Sequence, residues 1–111
     1  MTKIKKLAKM TKLKNLAKGV ASTYGWGEKL NEKTASGEVF DPSAMTAASY
    51  GWPLGTLVRV TNPKNSKSVD VKINDRGPNK RLGRLIDLSQ GSWKKISDNK
   101  PGLIDVDVEE I

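Results

Sequence analysis

The sequence predicts a mainly-β fold: a small barrel closed on itself, with one clear helix towards its C-terminal end. Three observations carry this. Apolar and polar residues alternate in several short runs, as where Val69, Val71 and Ile73 interleave with Asp70, Lys72 and Asn74. The runs recur at the spacing of sandwiches and barrels, with turn residues between them. Only 36% of the 111 residues are apolar. That is enough for one modest core, and closure is then the economical way to hide sheet edges.

The elements follow in order. Residues 19–25 read as a short strand with Gly19 and Gly25 at its ends. Residues 31–42 are loop-like, with Gly37 and Pro42 as punctuation. In residues 57–61, Val58 and Val60 face one way and Arg59 the other. Asn62-Pro63-Lys64-Asn65-Ser66 is a strong turn signal, so this run and the strand over 69–74 form a hairpin. Residues 85–88 are a short strand. Ser89 then caps a helix running to about residue 98, with Trp93 and Ile96 at core spacing, and Pro101-Gly102 stops it. Ile104, Val106 and Val108 alternate with Asp105, Asp107 and Glu109 in a final strand. Five or six strands result, and periodicity does not give their order.

The charge is uneven. The chain carries +8, and residues 1–18 hold seven Lys and no acid. Residues 19–111 are nearly neutral, with 13 basic and 12 acidic side chains. The expected organisation is a basic N-terminal arm over 1–18 and one domain over 19–111. On a helical wheel Ile4, Leu7 and Ala8 fall opposite Leu13, Leu16 and Ala17, so a continuous helix would have no clean apolar stripe. The arm reads as solvated, or as a docking segment for an acidic partner, an anionic wall polymer or a larger assembly. A near-neutral body argues against nucleic acid as the main partner. The arm has no continuous apolar stretch for a signal peptide, and no segment is apolar enough to span a membrane.

The chain has no Cys and no His. Disulfides, thiolate zinc sites, and Ser-His-Asp or Cys-His catalysis are excluded. Acid–base chemistry must come from carboxylates, Lys or Tyr. No metal or cofactor is expected.

Six ordered motifs carry a family resemblance. They are Gly19-Val20-Ala21-Ser22-Thr23-Tyr24-Gly25, Thr34-Ala35-Ser36-Gly37-Glu38, Met45-Thr46-Ala47-Ala48-Ser49, Leu54-Gly55-Thr56-Leu57-Val58-Arg59-Val60-Thr61-Asn62, Asn74-Asp75-Arg76-Gly77-Pro78 and Ile86-Asp87-Leu88-Ser89. Together they resemble the rare lipoprotein A-like double-psi β-barrels, which are related to barwin and to the first domain of expansins. The resemblance covers about residues 19–111. It implies a six-stranded double-psi barrel with one or two short helices and an open groove. It also implies a peptidoglycan substrate. Members of the group are lytic transglycosylases that cut between N-acetylmuramic acid and N-acetylglucosamine and leave a 1,6-anhydro ring, and some relatives bind polysaccharide without cleaving it.

A lytic transglycosylase needs no enzymic nucleophile, because the sugar's own 6-hydroxyl attacks the anomeric carbon. One well-placed acid can then donate and later recover a proton. The candidates are Asp75, Glu38 and Asp87. The resemblance makes Asp75 the leading acid, pairs Glu38 with a family His, and places Asp87 along the groove. That His is Ser49 in this chain, which can hydrogen-bond but cannot hold a proton near neutral pH. Its loss supports the alternative of a non-catalytic wall-binding or structural barrel. Arg76 is a candidate to tune Asp75 or hold substrate. Tyr24, Trp26, Tyr50 and Trp52 form two Gly-flanked aromatic pairs suited to stacking sugar rings. The substrate class lies outside the cytoplasm and no export signal is present, so the expectation is action at the bacterial cell wall, reached as a component of a phage tail.

Overall fold

The structure, a computed structural model, describes residues 16–28, 30, 32–78, 83–98 and 100–111. Six strands and one helix are present among them: β1 (Leu16–Tyr24), β2 (Thr46–Ala48), β3 (Leu57–Asn62), β4 (Lys67–Asp75), β5 (Ile86–Ser89), α1 (Gln90–Ile96) and β6 (Ile104–Glu110). The strands close into a barrel in the order β1-β5-β2-β4-β3-β6. The pairs β1/β5 and β2/β4 are parallel, and the other four are antiparallel. The mainly-β closed barrel expected from the sequence is what forms.

Alternation fills the interior as read. Val58, Val60, Val71, Ile73, Val106 and Val108 are essentially inaccessible, with Ile86 and Leu88 from β5. Each contributes about 1.5–3 kcal/mol of transfer free energy relative to an exposed side chain. Trp93 and Ile96 of α1 close one side, as their spacing indicates.

Three details differ from the sequence reading. β1 begins at Leu16, inside the stretch read as arm, because residues 16–18 pair with Glu109, Val108 and Asp107 of β6 and Lys18 forms an ion pair with Asp107 at 3.2 Å. The rest of that arm, residues 1–15, lies outside the described residues. β2 is a three-residue strand that periodicity cannot register. It exists because β4 and β5 supply partners on either side. Finally, α1 is shorter than expected. Ser89 caps it, accepting from Ser92 N at 3.2 Å. Its end comes at Ile96, whose carbonyl accepts from Asn62 Nδ2 and Asn65 Nδ2 of the β3–β4 turn at 2.9 and 3.0 Å. Those bonds satisfy a C-terminal carbonyl that further helix would otherwise use.

α1 packs tightly on the turn before β2. Gly91 N donates to Pro42 O at 2.8 Å, and a Cβ on Gly91 would lie 2.5 Å from the Ser43 carbonyl oxygen. Gly91→Ala should therefore destabilise by about 1–3 kcal/mol through overpacking, although Ala is the better helix former. Thermal unfolding followed by circular dichroism checks this, and the expected outcome is a melting temperature several degrees lower.

Candidate active site

The site is built by strand register. Ser22 on β1 and Ala48 on β2 both stand opposite Asp87 on β5. Ala48 also stands opposite Asp75 on β4, at a register shift in the β2/β4 pairing. The two aspartates therefore flank one small, buried residue at the end of the barrel. A Cβ placed on Gly77 would sit 3.8 Å from the Ala48 Cβ, so the loop after β4 also closes over this point.

Asp87 is half-buried, and burial pushes its carboxyl up from 3.8 to about 6. Ser22 Oγ donates to its Oδ1 at 3.1 Å and the charge of Arg84 acts nearby; both favour the ionised form, while the charge of Glu28 opposes it. Burial prevails, so this carboxyl can carry a proton close to neutral pH. Tyr24 lies beside it, buried and stacked on Phe40 with ring centroids 5.2 Å apart. Burial pushes the Tyr24 phenol up to about 12, and the nearby carboxylates Asp87 and Asp75 push the same way.

Asp75 is oriented by the backbone. Its Oδ1 accepts from Ala35 N at 3.0 Å and Arg76 N at 2.9 Å. The first bond fastens the 33–39 hairpin to the end of β4, and Ser36 N donates to Asn74 O at 3.1 Å alongside it. Glu38 belongs to the same hairpin. Lys72 Nζ donates to Glu38 Oε2 at 2.7 Å and Ser36 Oγ to its Oε1 at 3.0 Å. The hydrogen bond from Lys72, then that from Ser36, hold the Glu38 carboxyl below its ordinary range.

The remaining expected residues divide. Ser49 is fully buried. Its hydroxyl donates to Leu85 O at 2.9 Å and accepts from Gly51 N at 3.0 Å. Arg76 Nη1 donates to Ser49 O at 2.8 Å and Trp52 O at 2.6 Å, so it ties the 49–52 loop to β4. Trp26 donates its ring N–H to Thr23 Oγ1 at 2.8 Å and has Lys94 Nζ 5.4 Å from its ring centroid, which turns it towards α1. Trp52 packs against the core, and Tyr50 is 52% exposed.

Three participants were not singled out from sequence. Ser22 lay inside a quoted motif, and strand alternation from Ala21 was the signal for its side. Lys72 likewise alternates outward from Val71 and Ile73. Glu28 folds back on the preceding turn, its two oxygens accepting from Gly25 N and Trp26 N, each at 2.7 Å. The signal there was Gly25-Trp26-Gly27-Glu28, whose glycines have φ of 87° and 104°. Burial works to raise the Glu28 carboxyl, and its backbone hydrogen bonds outweigh burial and lower it. Glu28, Gly25, Phe40 and Pro42 border a cleft of about 320 Å³ beside Tyr24.

The model of the family described as lytic transglycolase matches residues 16–108. The chain belongs to that family. Among relatives, a Nostoc protein named "Probable endolytic peptidoglycan transglycosylase RlpA" is 50% identical over 92 residues, covering 82% of this chain and 24% of the relative. The Yersinia pestis endolytic peptidoglycan transglycosylase RlpA is 42% identical over 89 residues, covering 80% of this chain and 24% of the relative. The chain thus spans about a quarter of the length of these relatives. Among solved structures, an expansin from Clavibacter michiganensis superposes with a TM-score of 0.67 at 22% identity, covering 86% of this chain and 50% of the expansin. A Streptomyces papain inhibitor superposes at 0.66 and 20% identity, covering 86% and 94%. These establish the double-psi barrel for this family member. The expected docking of a larger assembly through the basic arm rests largely on residues 1–15, outside the described residues.

The raised Asp87 carboxyl has a consequence for stability. The native barrel binds its proton more tightly than the unfolded chain, so stability is lost as pH rises from about 4 to about 6, and the cost persists above. Asp87→Asn removes the buried charge. The variant should melt several degrees above the parent at about pH 7, for a gain of about 1–3 kcal/mol, and with it at pH below about 4. Thermal melts across this range check the prediction.

Proposed function

We propose that this barrel is an endolytic peptidoglycan transglycosylase in which Asp87 is the proton donor. The observation that carries the reading is the half-buried Asp87 carboxyl, raised to about 6 and set one strand away from Asp75 across Ala48. The family membership and the names of the relatives support the substrate class. That a mutant of the Clavibacter michiganensis expansin was solved in complex with cellohexaose supports a glycan lying along a barrel of this kind.

The reaction follows from one carboxyl. Protonated Asp87 gives its proton to the glycosidic oxygen as the bond from the N-acetylmuramic acid anomeric carbon breaks. The 6-hydroxyl of the same sugar closes on that carbon, and its proton goes to the Asp87 carboxylate. A 1,6-anhydro end forms, no water is consumed, and the acid is regenerated. Ser22 orients the carboxyl through Oδ1, which leaves Oδ2 for the leaving oxygen. Asp75, fixed by Ala35 N and Arg76 N, sets the opposite edge of the site. Glu38, paired with Lys72, holds the hairpin wall rather than moving protons.

A second reading is a wall-binding barrel without turnover. Ser49 favours it, since the side chain replacing the family's His is buried and committed to Leu85 O and Gly51 N. Digestion of insoluble peptidoglycan, with mass detection of anhydro-muropeptides, separates the two. The catalytic reading predicts anhydro products from the parent and a loss of at least ~10²-fold for Asp87→Asn, the low end for a general acid. It also predicts that activity falls as pH rises through about 6, because the donor must be protonated. Binding without anhydro products at any pH favours the second reading.

A further inference from the structure

The near-neutral total of residues 19–111 hides a division. Residues 62–67 and 90–102 hold five Lys and one acid, Asp98, while the rest of that span holds 8 basic and 11 acidic side chains. The two basic segments are distant in the chain and are fastened to one another. Asn62 Nδ2 and Asn65 Nδ2, at the β3–β4 turn, both donate to Ile96 O at the end of α1, at 2.9 and 3.0 Å. Trp93 Nε1 of α1 donates to Lys100 O at 2.8 Å, which holds the segment after the helix against it. Lys67 stands opposite Asn62 in the β3/β4 register. Lys64, Lys67, Lys94, Lys95 and Lys100 thus gather around the C-terminal end of α1, and all five are exposed.

No carboxylate pairs with them among the described residues. The ion pairs there are Lys18 with Asp107, Arg59 with Asp70 and Lys72 with Glu38. Asp70, the carboxylate nearest Lys67 along β4, is taken by Arg59 through both oxygens at 2.8 and 3.1 Å. Asp105 lines a cavity of about 220 Å³ together with Lys64 and Leu103, and makes no ion pair with Lys64. Helix capping does not require these lysines either. Cations favour a helix C-terminus, but the Ile96 carbonyl already has two amide donors, and Ser97 N donates to Trp93 O at 2.9 Å. Lys94 instead lies 5.4 Å from the Trp26 ring centroid. The face stands far from the acid site, because Lys67 opens β4 and Asp75 ends it, about 26 Å of extended chain apart. Five ammonium groups held together without counter-charges favour a partner that carries anions at intervals.

We propose that this lysine face is a second contact for the glycan strand, binding the carboxylates that its N-acetylmuramic acid residues carry away from the point of cleavage. The inference rests on the glycan substrate proposed above. N-acetylmuramic acid bears a carboxyl on its lactyl ether, either free or extended by a peptide with carboxyls of its own, so the strand is a regular polyanion. At the acid site, Asp75, Glu38 and Glu28 set a negative field that repels such a polymer. The lysine face supplies the opposite field at the other end of the barrel, and keeps the strand on the protein while one sugar enters among the carboxylates. Exposed ion pairs are individually weak and act here by number.

The test uses the full-length chain carrying Asp87→Asn, so that strands are not cut. It is titrated by isothermal calorimetry with soluble glycan strands, peptide-bearing and peptide-free, at ~20 mM salt. Adding Lys64→Gln, Lys67→Gln, Lys95→Gln and Lys100→Gln together should weaken binding at least about fourfold. The difference should close as salt approaches ~0.5 M, where exposed charges are screened. It should also vanish for strands whose carboxyls have been converted to methyl esters, and the strand type with the larger loss gives the source of the carboxylates. The same change of charge at Lys3, Lys5, Lys6 and Lys9 is the control for charge alone. A loss from the face variant no larger than from that control, with strands still bound, overturns the face and leaves the substrate reading intact. An equal loss on esterified strands overturns carboxylate recognition. Duplex DNA bound more tightly than glycan, with the same dependence on the four lysines, assigns the face to nucleic acid and overturns the proposal. A parent that binds neither kind of strand overturns the proposal together with the substrate reading.

Discussion

Strand β5 lies between β1 and β2, in parallel with one and antiparallel to the other. Much of the molecule follows from that placement. The strand's charged residue, Asp87, stands in register with small side chains on either side, Ser22 and Ala48, and is half-buried. Asp87 therefore comes to rest against Ser22, Ala48 and the Tyr24 ring system, where the charged form is costly. The buried charge is a liability for stability, and it leaves at the barrel end a carboxyl able to hold a proton close to neutral pH.

The second constraint is at the end of β4. Asp75 and Arg76 act in opposite directions from one point in the chain. Asp75 reaches the 33–39 hairpin through Ala35 N, and Arg76 reaches the 49–52 loop through two carbonyls. Both walls of the site are thus referred to the same strand end. The barrel end supplies the rigid frame to which these loops are tied. Ser49 is part of the same bracing, through Leu85 O and Gly51 N.

The sequence was most legible where one physical signal dominates. Period-two alternation identified β3, β4 and β6, the turn over 62–66 identified their hairpin, and Ser89 with Trp93 and Ile96 identified the helix. β2 was invisible as a strand because three residues carry no period, and only its partners make it one. The start of β1 was hidden by Lys18, which reads as arm until Asp107 stands opposite it. In the site, Asp75, Glu38 and Asp87 were legible as motif residues, but their different environments were not. Whether a carboxylate meets Lys72, two backbone N–H groups or a buried wall depends on register across strands far apart in the chain. The aromatic pairs show the same limit. Composition marked Tyr24, Trp26, Tyr50 and Trp52 alike, and packing separated them.

The central claim is that burial on β5 makes Asp87 a proton carrier near neutrality. The most direct measurement is titration of the Asp87 side-chain carboxyl by carbon-13 NMR in the unliganded protein, assigned with Asp87→Asn. The account predicts a midpoint of about 6. A midpoint at the ordinary aspartate value of about 3.9 would contradict it.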